Sequence, residues 1–372
     1  MQKPILFCGI DVDDKTFTGA LISECGKQEF EFRTRPSVGA LEKKLREFEA
    51  KGFELKVCYE AGFLGFSLYR DLIERGICCK VIAPSLIPTL AGKQTKTDRL
   101  DSRKIANFFR NGLLTEIYVP EEGEERVRDF IRSRKFITQQ LKSLRTHILF
   151  QCRRMRLDYR ASGETQKAQY WTKTHLLWLD RETNKLEDAH LKINLSQLLT
   201  QMRFLESQIA LYDEEIEKIA STEAYQSKVE ALCCYRGIST LTAMTLISEI
   251  GNVKRFKHPK FLTSYAGMDL REYSSGGREL KFSMTKLGNK HIRTAVIESS
   301  QLAWNIPRVS RELNYRRGKI SPKYIEVADR CMNRLYKKSV QLLARGKSRN
   351  KVKTACAREL LCFVWESLNM AA

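Results

Sequence analysis

The order of apolar runs over residues 1–118 most restricts what this chain can fold into. Ile5–Val12, Thr18–Ser23 and Glu29–Thr34 follow one another through short turns, the second of which holds Gly26. Short runs bounded by turn residues read as strands, and strands joined this closely pair antiparallel. The rhythm then changes. Leu41–Glu49 reads as a short amphipathic helix and Leu55–Glu60 as a fourth strand. Gly65–Glu74 reads as a helix closed near Gly76, and Cys79–Ala83 as a fifth strand ended by Pro84. Asp98–Asn111 is a helix closed at Gly112. Hairpin strands first and helix–strand alternation afterwards predict a mixed α/β domain. A doubly wound nucleotide-binding fold wants a glycine-rich turn after its first strand. Here that turn reads Asp11-Val-Asp-Asp-Lys15, which argues against it.

Four carboxylates fall at informative places in this pattern. Asp11 lies at the end of the first strand, Glu60 at the end of the fourth, and Asp98 and Asp101 three apart at a helix start. A strand carrying an Asp and followed by a hairpin partner reads as the opening of an RNase H-like fold. There, strand ends and a helix beside them bring distant acids together. Such a cluster holds a divalent ion, Mg²⁺ or Mn²⁺, and the ion activates phosphodiester oxygens. Asp98 also suits a helix N-cap, and Asp101 the first turn near the helix dipole. Asp13 and Asp14 read as turn residues. Lys93, Lys96, Arg99 and Arg103 can offset part of the acidic charge, but phosphate is the expected partner.

The formal net charge is +21 over 372 residues, which points to a polyanion, and nucleic acid above all. No apolar run approaches the roughly 18 residues of a membrane span. The N-terminus, MQKPILFCGIDV, lacks the features of a secretory signal. A cytoplasmic, nucleoid-associated protein without membrane partners is expected. The 11 cysteines show no Cys-x-x-Cys and no zinc spacing, so they read as reduced core thiols.

From about 121 the periodicity becomes helical. Val127, Phe130, Arg134, Ile137, Leu141, Leu144 and Ile148 recur at alternating spacings of three and four. Leu198, Met202, Leu205, Ile209, Tyr212, Ile216 and Ile219 do the same. Two heptad helices with a polar, aromatic connector at 157–194 predict an antiparallel coiled-coil arm, which an ordinary helical bundle would also satisfy. Three domains follow: 1–120, 121–222 and 223–372. In the last, the turn Tyr235-Arg-Gly-Ile-Ser239 precedes an apolar helix, Leu241–Ile250, in a weak helix-hairpin-helix pattern. A second helix runs through His258–Tyr265. Arg271–Arg278 reads as a flexible basic loop, and Thr285–Arg293 opens another helix. Residues 308–372 read as helical and dense in Lys and Arg, and Lys347, Arg349 and Lys351 are expected on a nucleic-acid backbone.

Six segments, in order, resemble the DEDD insertion-sequence transposases, relatives of the Piv DNA invertase. They are GIDVDDKTF, VCYEAG, KTDRLDSRKIA, GISTLTAMTLISEIG, FLTSYAGMDLREYSSGGREL and MTKLGNKHIR. The resemblance implies a RuvC-like domain whose acids map onto Asp11, Glu60, Asp98 and Asp101, a coiled-coil linker, and a mostly helical C-terminal transposase domain. It implies a catalytic serine, Ser275 with Ser274 as the alternative, a covalent phosphoserine intermediate and a divalent metal. It further implies donor and target DNA, a structured guide RNA (bridge RNA), and a homo-oligomer between dimer and tetramer. Arg271, Arg278 and Lys281 flank the serine, and with Lys286 and Arg293 they are expected at nucleic acid. Where the family usually has Pro-Gly-Ile-Gly, this chain has Arg236-Gly-Ile-Ser239. Two rival functions stay open from the residues: a hydrolytic junction nuclease, and a non-catalytic nucleic-acid binder.

Overall fold

A computed structural model describes residues 3–88, 98–163, 169–275 and 278–371, with the side chains of residues 85, 98 and 271–282 outside that description. The chain divides into two compact units, residues 1–120 and 121–372. Among the described residues no helix is long and apolar enough to cross a membrane.

The first unit is built on a five-stranded sheet of β1 (Ile5–Val12), β2 (Phe17–Ser23), β3 (Glu29–Thr34), β4 (Glu54–Glu60) and β5 (Cys79–Ile82). Their spatial order is β3-β2-β1-β4-β5. The first three strands pair antiparallel, while β4 joins β1, and β5 joins β4, in parallel. This mixed sheet is compatible with an RNase H-like domain. Helices α1 (Val38–Ala50) and α2 (Ser67–Glu74) supply the crossovers. Alternation along β1 divides the sheet's two faces. Leu6, Cys8 and Ile10 enter a core with Leu41 and Leu45 of α1 and Leu68 and Leu72 of α2. Phe7, Gly9 and Asp11 take the opposite face, which α3 (Asp98–Arg110) covers.

The second unit is helical apart from one hairpin. Two long helices, α4 (Glu122–Arg154) and α6 (Ala189–Ala220), pack along each other. Phe130 meets Tyr212, Arg134 bridges Asp213 through two 2.9 Å contacts, and Arg145 bridges Glu206 at 2.7 Å. From Arg134 to Arg145 the partner number falls from Asp213 to Glu206, so the pair is antiparallel. Of the expected heptad residues, Leu141, Ile148, Met202, Leu205 and Ile216 are buried and the others are half-buried. The connector holds α5 (Lys173–Lys185), whose Trp178 and Leu179 form a small core with the far halves of α4 and α6.

The remaining helices are α7 (Glu223–Cys233), α8 (Thr240–Ile250), α9 (Pro259–Tyr265), α10 (Lys290–Ser299), α11 (Arg311–Arg317), α12 (Pro322–Ala344) and α13 (Arg349–Ala371). All of them except α11 contribute to one core, with α13 packed on α7, α9, α10 and α12. Between α7 and α8, Gly237 has φ 91°, and a Cβ there would come within 2.4 Å of the Ser299 carbonyl. Arg236 in the same turn donates to the carbonyls of Leu302 and Ile306.

One expectation is corrected here. Residues 271–275 and 278 are not part of a flexible loop, because β6 (Leu270–Ser275) and β7 (Arg278–Met284) pair antiparallel. Alternating runs in the sequence on either side fit two strands, and Gly276 and Gly277 lie outside the described residues.

Candidate active site

The acidic residues of the first unit are positioned by the seating of α3 on β1. Gly9 makes that seating possible: a Cβ on it would lie 2.4 Å from the Ala106 amide and 2.6 Å from the Ser102 carbonyl. Ser102 is fully buried at this crossing, and Ala106 packs on Ala20 and Ile22.

Contacts along α3 fix its direction. Phe109 stacks edge-on against Phe7, with ring centroids 5.5 Å apart. Ile105 packs with Cys58, the register partner of Gly9. Four helical residues rise about 6 Å, and two strand residues about 6.6 Å. The next step along both elements therefore brings Asp101 to the level of Asp11 and Glu60. The other flank agrees: Arg110 donates to the Glu24 carbonyl, Arg103 pairs with Glu29, and Arg99 pairs with Glu31. The N-terminus of α3 thus runs toward the C-terminal ends of the strands.

Asp11 and Glu60 stand side by side in that region. The β1–β4 register runs to Ile10 opposite Tyr59, so the next pair is Asp11 and Glu60. Both lie on the α3 face, because Glu60 is in register with Ile82, which packs under Ile105. Asp101 is half-buried in the first turn of α3, and Asp98 is the first residue of that helix. Thr18 of β2, directly opposite Asp11, is buried, and among the described residues its hydroxyl has no hydrogen-bond partner. The sequence gives no signal for Thr18 beyond its place in the hairpin.

Oxygen donors of this kind suit a hard divalent ion. Among the described residues, however, no three Asp, Glu, His or Cys side chains gather closely enough to hold one, and the Asp98 side chain lies outside them. Asp13 behaves as a turn residue, its carboxylate accepting from the Lys15 amide at 3.0 Å.

The basic residues divide. Arg99 and Arg103 are engaged by the β3 glutamates. Arg293 donates to the Ala266 carbonyl at 2.7 Å, so its side chain serves the end of α9. Lys286 is exposed, with φ 55°. Lys347, Arg349 and Lys351 are exposed around the start of α13, and among the described residues none makes an ion pair. Cations at the positive end of a helix are unfavourable alone and are relieved by an incoming anion. Lys93, Lys96, Gly276 and Gly277 lie outside the described residues, as do the side chains of Arg271, Ser274, Ser275, Arg278 and Lys281. Ser275 is the last residue of β6.

Sequence reasoning missed a polar centre in the second unit. Glu249 on α8 is buried and takes two contacts from Arg132, at 2.7 and 2.8 Å, and one from Asn289 at 2.7 Å. Burial acts to raise its carboxyl pKa, but Arg132 and Asn289 outweigh it and hold the pKa below the usual range. Asn289 is also the N-cap of α10, so Glu249 ties the helix after the hairpin to α4 and α8.

Comparison with known proteins now bears on this geometry. A DEDD transposase profile matches residues 8–151, and the profile described as "Transposase IS116/IS110/IS902 family" matches residues 229–314. A transposase of Sinorhizobium fredii, y4qE, is 32% identical over 365 residues, covering 96% of this chain and 87% of its own length. The chain belongs to the IS116/IS110/IS902 transposase family. The transposase for insertion sequence element IS1533 of Leptospira borgpetersenii is 27% identical, over 93% of this transposase and 99% of the relative. That for IS1111A of Coxiella burnetii is 23% identical, over 81% and 78%. The DEDD profile covers the strands and helix that carry Asp11, Glu60, Asp98 and Asp101. The protein is thus an enzyme of DNA transposition.

Proposed function

We propose that this transposase cuts and rejoins DNA with an acidic metal site, Asp11, Glu60, Asp98 and Asp101, and a serine nucleophile, Ser275. The observation that carries the reading is the common level of Asp11 and Glu60 on the face covered by α3, toward which the N-terminus of that helix runs. Mg²⁺ or Mn²⁺ bound there would neutralise the mutual repulsion of the carboxylates and polarise a phosphodiester oxygen. Asp11 and Glu60 would hold the ion from the strand ends, and Asp98 and Asp101 from the helix start.

The Ser275 oxygen would form a bond to phosphorus as the bond from phosphorus to the leaving strand oxygen breaks. The serine proton is lost to base, and the leaving strand ends in a hydroxyl. Because one phosphoester replaces another, the reverse attack rejoins strands without an external energy source. Donor and target DNA are the substrates in this reading, and a structured guide RNA chooses them. Arg271, Arg278, Lys281, Lys286 and the cluster Lys347, Arg349 and Lys351 would meet phosphates. The α4–α6 pair would supercoil as a coiled coil and assemble copies into a dimer or tetramer. Phe136, Phe150, Phe204 and Leu211 on these helices support this, each more than half exposed.

The test is complementation. Asp11→Asn and Ser275→Ala, each inactive alone, are mixed and assayed for a covalent protein–DNA species. Recovery supports an active site shared between copies. If the unmutated protein cuts DNA without ever forming a covalent species, the serine step is wrong and a hydrolytic junction nuclease replaces it. If Asp11→Asn recombines normally, the metal site is wrong.

A further inference from the structure

One polar side chain of the first unit is out of keeping with its surroundings. β2 is buried along its whole length, and Thr18 carries its only hydroxyl before Ser23 at the end. Alternation places Thr18 with Ala20 and Ile22 on the face that α3 covers. Packing alone does not ask for a hydroxyl there, since valine has the same shape and suits a buried strand as well.

Among the described residues of this unit, the buried polar side chains are Thr18, Ser23 and Ser102. Two of them are satisfied. The Ser23 hydroxyl accepts from the Gln28 amide at 3.0 Å, and that of Ser102 donates to the Arg99 carbonyl at 3.1 Å. Thr18 Oγ1 has no partner among the described residues. An unpaired buried hydroxyl costs stability, so its retention calls for a reason.

The cross-strand neighbours supply one. Thr18 lies directly between Asp11 on β1 and Arg33 on β3. Residues opposite each other share a face, with Cβ atoms about 4.5–5.5 Å apart. Arg33 offers only donors, whereas the Asp11 carboxylate offers acceptor oxygens. A change of rotamer at either residue brings hydroxyl and carboxylate to hydrogen-bond distance. Asp11 stands next to Glu60 in the strand register, and adjacent carboxylates drive each other apart unless a cation or a donor holds them. A carboxylate that ligates a metal is in turn hydrogen-bonded from behind, which fixes its orientation.

We propose that Thr18 is a positioning residue of the acidic site, its hydroxyl donating to Asp11 and fixing that carboxylate for a divalent ion. This rests on the reading of Asp11 as a metal ligand. It adds a residue that touches neither the ion nor DNA and acts only through Asp11.

Metal binding to the full chain, without DNA, tests this. Mn²⁺ affinity is read from the electron paramagnetic resonance of the free ion, and stability from urea melts followed by circular dichroism in EDTA. Thr18→Val keeps the shape and removes the hydroxyl. It should weaken Mn²⁺ binding about 10- to 100-fold. The metal-free melt should stay in place or move to higher urea, because an unpaired buried hydroxyl is gone. A hydroxyl that served only the fold would give the reverse, an earlier melt with unchanged affinity. Thr18→Ser should restore the affinity. Adding Thr18→Val to Asp11→Asn should weaken binding no further than Asp11→Asn does alone, since the effects of coupled residues do not add. Unmutated Mn²⁺ affinity in Thr18→Val would overturn the proposal, as would a loss that Thr18→Ser does not repair. If Asp11→Asn binds Mn²⁺ like the unmutated protein, Asp11 is no ligand and the metal reading falls together with the role of Thr18. If Asp11→Asn loses the ion while Thr18→Val keeps it, the metal reading stands and only Thr18 is wrong.

Discussion

Replacing Gly9 by alanine should dislodge α3 from the sheet, and the size of the effect can be worked out from contacts. The new Cβ would meet backbone at 2.4 Å, at the Ala106 amide, and at 2.6 Å, at the Ser102 carbonyl, whereas ordinary contact begins at 3.4 Å. Neither neighbour is a flexible side chain that can turn aside. The helix must retreat by about 1 Å or the crossing stays overpacked, and core overpacking costs about 1–3 kcal/mol. The control is Gly39→Ala in α1, where an added Cβ meets nothing within 4 Å. That change should be neutral or stabilise by about 0.5–1 kcal/mol. Urea melts read the difference. All four tryptophans, Trp171, Trp178, Trp304 and Trp365, belong to the second unit. Tryptophan fluorescence therefore follows residues 121–372, while circular dichroism and hydrogen exchange at β1 also report the first unit. Gly9→Ala should lower stability in the latter two and leave the fluorescence transition in place. A 1 Å displacement at an active site can cost about 100-fold in rate, so transposition should fall by that order while DNA affinity holds. A Gly9→Ala protein with unmutated stability and full transposition would refute the seating of α3 and the alignment drawn from it.

Three further outcomes are expected. Glu249→Gln leaves the Arg132 guanidinium without its counter-charge. Losing one partner of a buried pair costs about 3–5 kcal/mol, and since Arg132 is 40% exposed the loss should be nearer 2 kcal/mol. The fluorescence-detected melt should shift down, and an unmoved melt would mean the pair holds nothing. Neutralising Lys347, Arg349 and Lys351 together should reduce the salt dependence of DNA binding by about 2.7 in the slope of log K against log salt; an unchanged slope would place these side chains away from phosphate. His175, with its pKa held near 4 by burial, binds a proton more readily when unfolded. Its contribution is complete above about pH 6.5 and is lost as pH falls toward 4, by at most about 1.4 kcal/mol per unit. His175→Phe should flatten that slope, and a melt insensitive to pH across this window in the unmutated protein would contradict it.

Much of the first unit is legible from sequence because its signals are local. Alternation in ILFCGIDV and the short turn after it are enough for β1 and β2, and a strand ending in Glu60 is enough for β4. The direction of α3 is not local. It depends on a glycine that lets two backbones touch and on Arg99 and Arg103 finding glutamates some 70 residues earlier. Those two arginines read as phosphate ligands from sequence because composition cannot tell which cations already have partners. The strands on either side of Ser275 and Arg278 are misread for a different reason: a glycine pair suggests flexibility, and the alternating runs that flank it are short. Glu249 is invisible because a lone acid in an apolar helix carries no pattern until Arg132 and Asn289 close on it. The connector at 157–194 resists reading because Tyr159 and Trp178 are buried in a core with α4 and α6, and Tyr170 and Trp171 pack against that core, at a distance along the chain.

The antiparallel arm has a consequence for how the transposase can vary. Its base belongs to the C-terminal core through Ile131, Ile216 and Ala220, whereas its tip has a core of its own around Trp178 and Leu199. The stretch between is joined mainly by repeating side-chain layers. One heptad can therefore be removed from α4 together with one from α6 without unseating either end. At 1.5 Å per residue, each such removal draws the tip in by about 10 Å, close to three base-pair steps of a duplex. Arm length is thus a coordinate that paired insertions and deletions can adjust in steps of two helical turns while the cores at its two ends stay as they are.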